Sequence, residues 1–183
     1  MQLFFDFREN ATRVCILDTL LEAMSVSQRD RFDAVMAAAA IPDRHHHNVA
    51  EVNETIDSLD VPEKIKEDLH GVYGILAAAE AQVHGCEVSE THFHEVGNAN
   101  GIRNALAICA AFYAIDAETV TATAVQPGSG EIECAHGRLS VPAPATAAIL
   151  GTGIPLTSDR LPGERCTPTS AAIIKYFVDS FKE

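Results

Sequence analysis

Between Asp60 and Gly85 an apolar residue recurs at every third or fourth position: Ile65, Leu69, Val72, Leu76, Ala79 and Val83. That spacing returns to one side of a 3.6-residue repeat and makes one continuous stripe. Asp60 reads as the N-cap, Pro62 suits the first turn, Glu63 can return the capping interaction and Gly85 can close the end. The pattern therefore predicts a helix of six turns. At about 1.5 Å per residue, so long a stripe is buried only if several other elements pack along it.

The rest of the chain supplies candidates for that cover. Leu3 to Phe7 reads as a short buried strand with Asp6 near its end. Val14, Leu17, Leu20, Leu21 and Met24 mark one face of a first helix. A second is expected to open at Ser27, with Asp30 three residues on, and to carry Phe32, Val35, Met36 and Ala39. Pro42 stops it, and a loop over 41–48 follows. A modest helix is expected from about Asn48 to Asp57. After the long helix, His92 to Val96 reads as a short extended segment, and a helix from Asn98 to Ile115 buries Ile102, Leu106, Cys109 and Tyr113.

Thr119 to Val125 alternates as a half-buried strand, and Pro127 to Gly130 is a turn. Ile132, Cys134 and His136 share one face of a further strand, with Glu131 and Glu133 on the other. Pro144 opens a small helix that Gly151 closes, and Ile154 to Leu156 reads as a strand. Thr167 caps a last helix that presents Ile173, Ile174, Phe177, Val178 and Phe181 to the core. Strands and helices mix without a regular alternation. The expected class is α/β or α+β, leaning to α/β: short strands and several packed helices in a single compact domain over 1–183.

Composition narrows the function. The chain is 47% hydrophobic, enough for a core, and its formal net charge is −13. That charge, with no basic cluster, disfavours nucleic acid and anionic membranes as partners. No basic, apolar leader opens the chain, and no apolar run is long enough to span a bilayer. Five scattered cysteines without C-x-x-C spacing read as reduced thiols of a cytoplasmic protein.

Candidate ligands of a metal ion are the most specific chemical signal. His92 and His94 lie two apart in an extended segment, so both imidazoles point to one side, with Glu95 beside them. Imidazole suits zinc, nickel, copper or iron and does not choose among them. Glu80 and His84, four apart on the long helix, share a face, although an ordinary dipole-favoured ion pair would look the same. His45, His46 and His47 can hold divalent ions loosely, or form a polar loop. Cys134 and His136 offer thiolate plus imidazole, or a buried thiol and a packed histidine. The Gly128-Ser129-Gly130 turn and the Thr167 helix start are generic anion-holding features.

Three stretches together resemble the LarC family. The first is Glu80-Ala81-Gln82-Val83-His84-Gly85 followed by His92-Phe93-His94-Glu95-Val96-Gly97. The second is Cys134-Ala135-His136-Gly137 with Val141-Pro142-Ala143-Pro144-Ala145-Thr146. The third is Gly163-Glu164 with Thr167-Pro168-Thr169. They occur in the family's order and spacing and cover roughly 43–181. The resemblance implies a cytoplasmic protein that inserts nickel into a pyridinium bis-thiocarboxylate mononucleotide, consuming CTP with manganese or magnesium. It places Asp6, Glu80, His84, His92, His94, Glu95, His136 and Glu164 on the family pattern, with Thr167 in its third stretch.

This sequence also departs from that pattern. Where the family shows a Ser-Gly-x-Ser-Gly-Asp-like loop, 8–14 reads Arg-Glu-Asn-Ala-Thr-Arg-Val. Two family aspartates correspond to Asn100 and Asn104, whose amides carry no charge to a cation. The histidine tract is short, and a C-terminal CTP-binding domain is expected to be missing. The expectation is a nickel-insertion component working as a homo-oligomer or with a separate CTP-binding chain. Alternatives are a non-catalytic metal-binding or scaffold paralogue, and an unrelated metal-dependent hydrolase built on His92, His94 and His136 with Glu95 as base.

Overall fold

The computed structural model describes residues 1–41, 48–91, 93, 99–134 and 137–182, with the backbone alone at Ala99 and Cys134. Among these the elements run β1 (Gln2–Phe5), α1 (Arg13–Ala23), α2 (Val26–Ala38), α3 (Val49–Ser58) and α4 (Glu63–His84). After a 3-10 turn at Val88–Glu90 come α5 (Ala99–Ile115), β2 (Thr119–Ala122), β3 (Gly128–Ser129), β4 (Glu131–Cys134) and β5 (Gly137–Ser140). The chain closes with α6 (Pro144–Leu150), β6 (Gly163–Glu164), α7 (Pro168–Phe177) and β7 (Ser180–Phe181). The mixed α/β class expected from the sequence is the class observed.

One three-stranded parallel sheet, in the order β1-β2-β7, organises the fold. Gln2 aligns with Thr119 and Phe5 with Ala122, so the first strand closes against one more than a hundred residues away. Parallel pairing demands a long crossover, and α1 to α5 provide it. Two antiparallel pairs, β3-β6 and β4-β5, stand apart from that sheet.

Helix α4 is the hub, packing against α3, α5, α6 and α7. Ile65, Leu69, Val72, Leu76 and Ala79 are buried as the stripe requires, but Val83 is 40% exposed in the last turn. The N-cap is Pro62, without a side-chain hydrogen bond, rather than Asp60, which stands outside the first turn. Gly85 ends the helix in the left-handed region at φ 65°, as expected. A carboxylate interrupts the apolar face: Asp68 is 2% exposed and is held by Lys64 and, at 2.9 Å, by the hydroxyl of Tyr176 from α7. Burial, with Asp68 second, pushes the Tyr176 phenol up to about 12.

Several boundaries differ from the sequence expectation. Helix α2 is capped by Ser25, not Ser27, because Gln28 completes a reciprocal capping box that Asp30 does not. In α1 the buried residues are Ile16 and Leu20, while Val14 is 62% exposed. The last helix stops at Phe177; Phe181 lies in β7, where the Lys182 N–H donates to the Ala122 carbonyl at 2.7 Å. Strand β2 ends at Ala122, and 154–156 contributes only the bridge Val125 to Leu156. Strand β4 ends at Cys134, with Ile132 half-buried between exposed Glu131 and Glu133. No helix among the described residues is long and apolar enough to cross a membrane.

Gly128 is the tightest backbone contact. Its φ is +88°, and a Cβ there would stand 2.0 Å from the Gly163 carbonyl oxygen. Gly128→Ala is therefore expected to cost at least about 2 kcal/mol, by strain and by prying β3 from β6. Urea unfolding checks this, and a loss below about 0.5 kcal/mol would contradict it.

Candidate metal centre

The described part of the site is built on α4. Tyr73, Ala77, Glu80 and His84 follow one another at offsets of four, three and four, so they form one stripe along the helix. His84 Nε2 lies 3.5 Å from Glu80 Oε2, the geometry expected of the pair, with Glu80 18% and His84 39% exposed at the side chain. An imidazole nitrogen and a carboxylate oxygen so close together present a mixed donor pair that a borderline divalent ion accepts.

The chain then doubles back. Past Gly85, Cys86 Sγ and Thr91 Oγ1 meet at 3.4 Å across the 3-10 turn, and Thr91 is 1% exposed. Phe93, 3% exposed, sets its ring edge-on to Tyr73, with centroids 5.7 Å apart at 81°. Phe93 is thus anchored on the stripe that carries Glu80 and His84. Tyr73 and Glu80 are separated by seven residues, about 10 Å along the axis.

A second group of matched residues sits where the parallel strands end, the side on which open α/β sheets hold ligands. Asp6 follows β1 and Thr123 follows β2. The Thr123 hydroxyl accepts the Phe7 N–H at 2.9 Å and approaches Asp6 Oδ1 at 3.4 Å. Arg8 forks onto Asp6, Nε to Oδ1 at 2.8 Å and Nη2 to Oδ2 at 2.5 Å. Both carboxylate oxygens are therefore engaged by a cation of the same chain. Thr167 uses its hydroxyl to accept the Ser170 N–H at 3.2 Å. Glu164 aligns with Gly128 across β3-β6. In the Gly128 turn the Gly128 N–H donates to Gln126 Oε1 at 3.0 Å.

His45, His46, His47, His92, His94, Glu95 and His136 lie outside the described residues. Among the described residues, no three His, Cys, Asp or Glu side chains converge to hold a metal ion. Buried thiols offer no substitute: burial pushes the Cys166 thiol up to about 12 and Cys109 well above its ordinary value. Asn100 accepts a hydrogen bond from Arg103 Nη1 at 3.0 Å, so its amide is held within α5.

Sequence reasoning passed over three structural residues. Neither the Tyr73 nor the Phe93 ring stands out in the sequence, and their contact ties Phe93 to α4. Gln126 is fully buried; its amide accepts the Gly128 and Leu161 N–H groups and donates to the Asp159 carbonyl.

A family model for the nickel insertion protein matches residues 7–183. This chain belongs to that family. A protein of Geobacter sulfurreducens named for nickel insertion is 42% identical over 140 residues, which is 76% of this chain and 35% of the relative. One of Maridesulfovibrio salexigens is 37% identical over 136 residues, 74% of this chain and 32% of its own. The pyridinium-3,5-bisthiocarboxylic acid mononucleotide nickel insertion protein of Staphylococcus epidermidis is 39% identical over 137 residues, 75% of this chain and 34% of its own. The chain spans about a third of the length of these relatives. No solved structure matches it.

The Asp6–Arg8 fork yields a pH prediction. Hydrogen bonds from the Arg8 guanidinium hold the Asp6 carboxyl at about 2, below its ordinary 3.8, against a smaller opposing push from burial. Because the folded value is the lower one, the stabilisation is complete above about pH 4 and is lost as pH falls from there towards 2. The Asp6 side chain is 46% exposed, so solvent screening keeps the effect below about 1 kcal/mol. Asp6→Asn is expected to flatten the fall in stability between pH 5 and pH 2; an unchanged slope contradicts the assignment.

Proposed function

We propose that this chain is the metal-handling component of a nickel-insertion system acting on a pyridinium bis-thiocarboxylate mononucleotide. The observation that carries this is the Glu80–His84 pair, on the same stripe of α4 that receives Phe93, in a chain of the nickel insertion family. His92, His94 and Glu95, on either side of Phe93 in sequence, would complete the donors around a nickel ion that is cargo rather than resident cofactor. His136 is a further contributor, and His45 to His47 a loose reservoir. Consumption of CTP with manganese or magnesium, a separate CTP-binding chain, homo-oligomerisation and a cytoplasmic location belong to the same proposal.

A second reading, a metal-binding scaffold paralogue without insertion chemistry, is favoured by Asp6. The carboxylate is occupied by Arg8, and uncharged Asn100 and Asn104 stand where the family pattern has aspartates. The hydrolase reading needs a metal-bound water with a base beside it, and nothing among the described residues favours it.

Nickel titration of the untagged chain tests the core of the proposal. One ion per chain is expected, with affinity at least about tenfold weaker in the His92→Ala/His94→Ala variant. Undiminished binding there would place nickel elsewhere and end the reading. Insertion is then assayed with CTP, manganese, nickel and the CTP-binding chain. Formation of the nickel cofactor supports the first reading; its absence with nickel binding intact supports the scaffold.

A further inference from the structure

Helix α3 carries Asn53 and Asp57 four residues apart, on one face, and α4 brings His70 against them. His70 Nδ1 lies 3.1 Å from Asn53 Oδ1, and His70 Nε2 lies 2.8 Å from Asp57 Oδ1. Both ring nitrogens therefore face oxygens of the neighbouring helix. An amide oxygen only accepts, so Nδ1 donates its N–H to Asn53 and sets the orientation of the ring. Nε2 is left facing a carboxylate, which also only accepts. A lone pair and a carboxylate this close repel unless they share a cation, either a proton on the ring or a metal ion. Two donors at about 2.0–2.1 Å from one ion and at right angles stand about 2.9 Å apart, which is the spacing of this pair.

Solvent reaches the pair: the His70 side chain is 36% and the Asp57 side chain 69% exposed. Among the described residues the Asp57 carboxylate has no other ion-pair partner, because Lys66 donates to the Asp57 backbone carbonyl instead, at 2.9 Å. Proteins present a histidine ligand in the same way, with one ring nitrogen towards the ion and the other tied to an oxygen that fixes the tautomer. His70 precedes Glu80 by ten residues, about 15 Å along α4, so this pair is separate from the candidate centre.

We propose that His70 and Asp57 form a second metal site, for a borderline divalent cation such as nickel or zinc, at the α3–α4 interface. Imidazole nitrogen with carboxylate oxygen suits such an ion, and water fills the remaining positions. Asn53 is a positioning residue that holds the ring. Two protein donors, with the Lys66 ammonium nearby, hold an ion less tightly than a fuller ligand set, so this site fills after the candidate centre. Helix α3 follows the His45–His47 tract directly in the chain and packs against the 3-10 turn that leads to Thr91. An ion bound here ties α3 to α4 beside that turn. The inference goes beyond the nickel-insertion reading and does not rest on it.

The test is NMR of the full chain, following the histidine ring C–H resonances while zinc chloride is added. The His70 resonance is assigned by its loss in His70→Gln. It should move with zinc and saturate. Asp57→Asn should raise the half-saturating zinc concentration about tenfold or more, Asn53→Leu by less, and the exposed control Asp33→Asn not at all. Thermal melting confirms that each variant is folded. The inference is overturned if the His70 resonance stays still while zinc saturates the chain, which would leave the pair as an interhelical ion pair. It is overturned equally if folded Asp57→Asn follows the wild-type curve, or if the His70 shift disappears in the His92→Ala/His94→Ala chain. Because His70 itself is read, failure of this site and failure of the nickel-insertion reading are distinguishable.

Discussion

The burial of α4 is the constraint on which the rest depends. Its stripe disappears into contacts with α3, α5, α6 and α7. Replacing one of the fully buried side chains, such as Leu69 or Leu76, opens a cavity at the junction of these helices. The same helix carries the candidate chemistry on a neighbouring stripe. Tyr73 is buried and Glu80 and His84 emerge towards solvent, so the core fixes the direction in which the donor pair is presented. Positioning metal donors from a helix locked on several sides restricts their motion and favours one coordination geometry.

The second frame is the parallel sheet. Pairing β1 with β2 forces the loop after β1, the turn after β2 and the entry to α7 to meet at one edge. Asp6, Thr123 and the Arg165–Thr167 linker gather there from three parts of the sequence. At this edge Arg8 is spent on Asp6.

Much of the fold was legible because local physics set it. The α4 stripe, the Gly85 stop, the Thr167 cap with Pro168 and the Pro144–Gly151 helix all follow from periodicity and capping chemistry. Boundaries failed where a distant partner decided them. Phe181 continues a helical pattern, yet the open edge of β2 draws 180–181 into a strand. Ser27 and Ser25 are equally good caps in isolation, and only the return bond from Gln28 selects Ser25. Of the candidate site, the Glu80–His84 pair could be read from its i,i+4 spacing. The Tyr73–Phe93 contact could not, because twenty residues and a reversal separate the two rings. The Asp6–Arg8 fork was also hidden: a carboxylate at a strand end reads as a ligand until its neighbour is seen to hold both oxygens.

The claim at the centre of this account is that α4 and the returning histidine segment serve one metal ion. Nickel K-edge X-ray absorption of the chain loaded with one equivalent of nickel addresses it directly, comparing wild type with His84→Ala. The account predicts imidazole scattering from more than one histidine in the wild type, and one imidazole fewer when His84 is replaced. An identical nickel environment in the two proteins would contradict it, leaving the Glu80–His84 pair as a helix-end ion pair and nickel bound elsewhere on the chain.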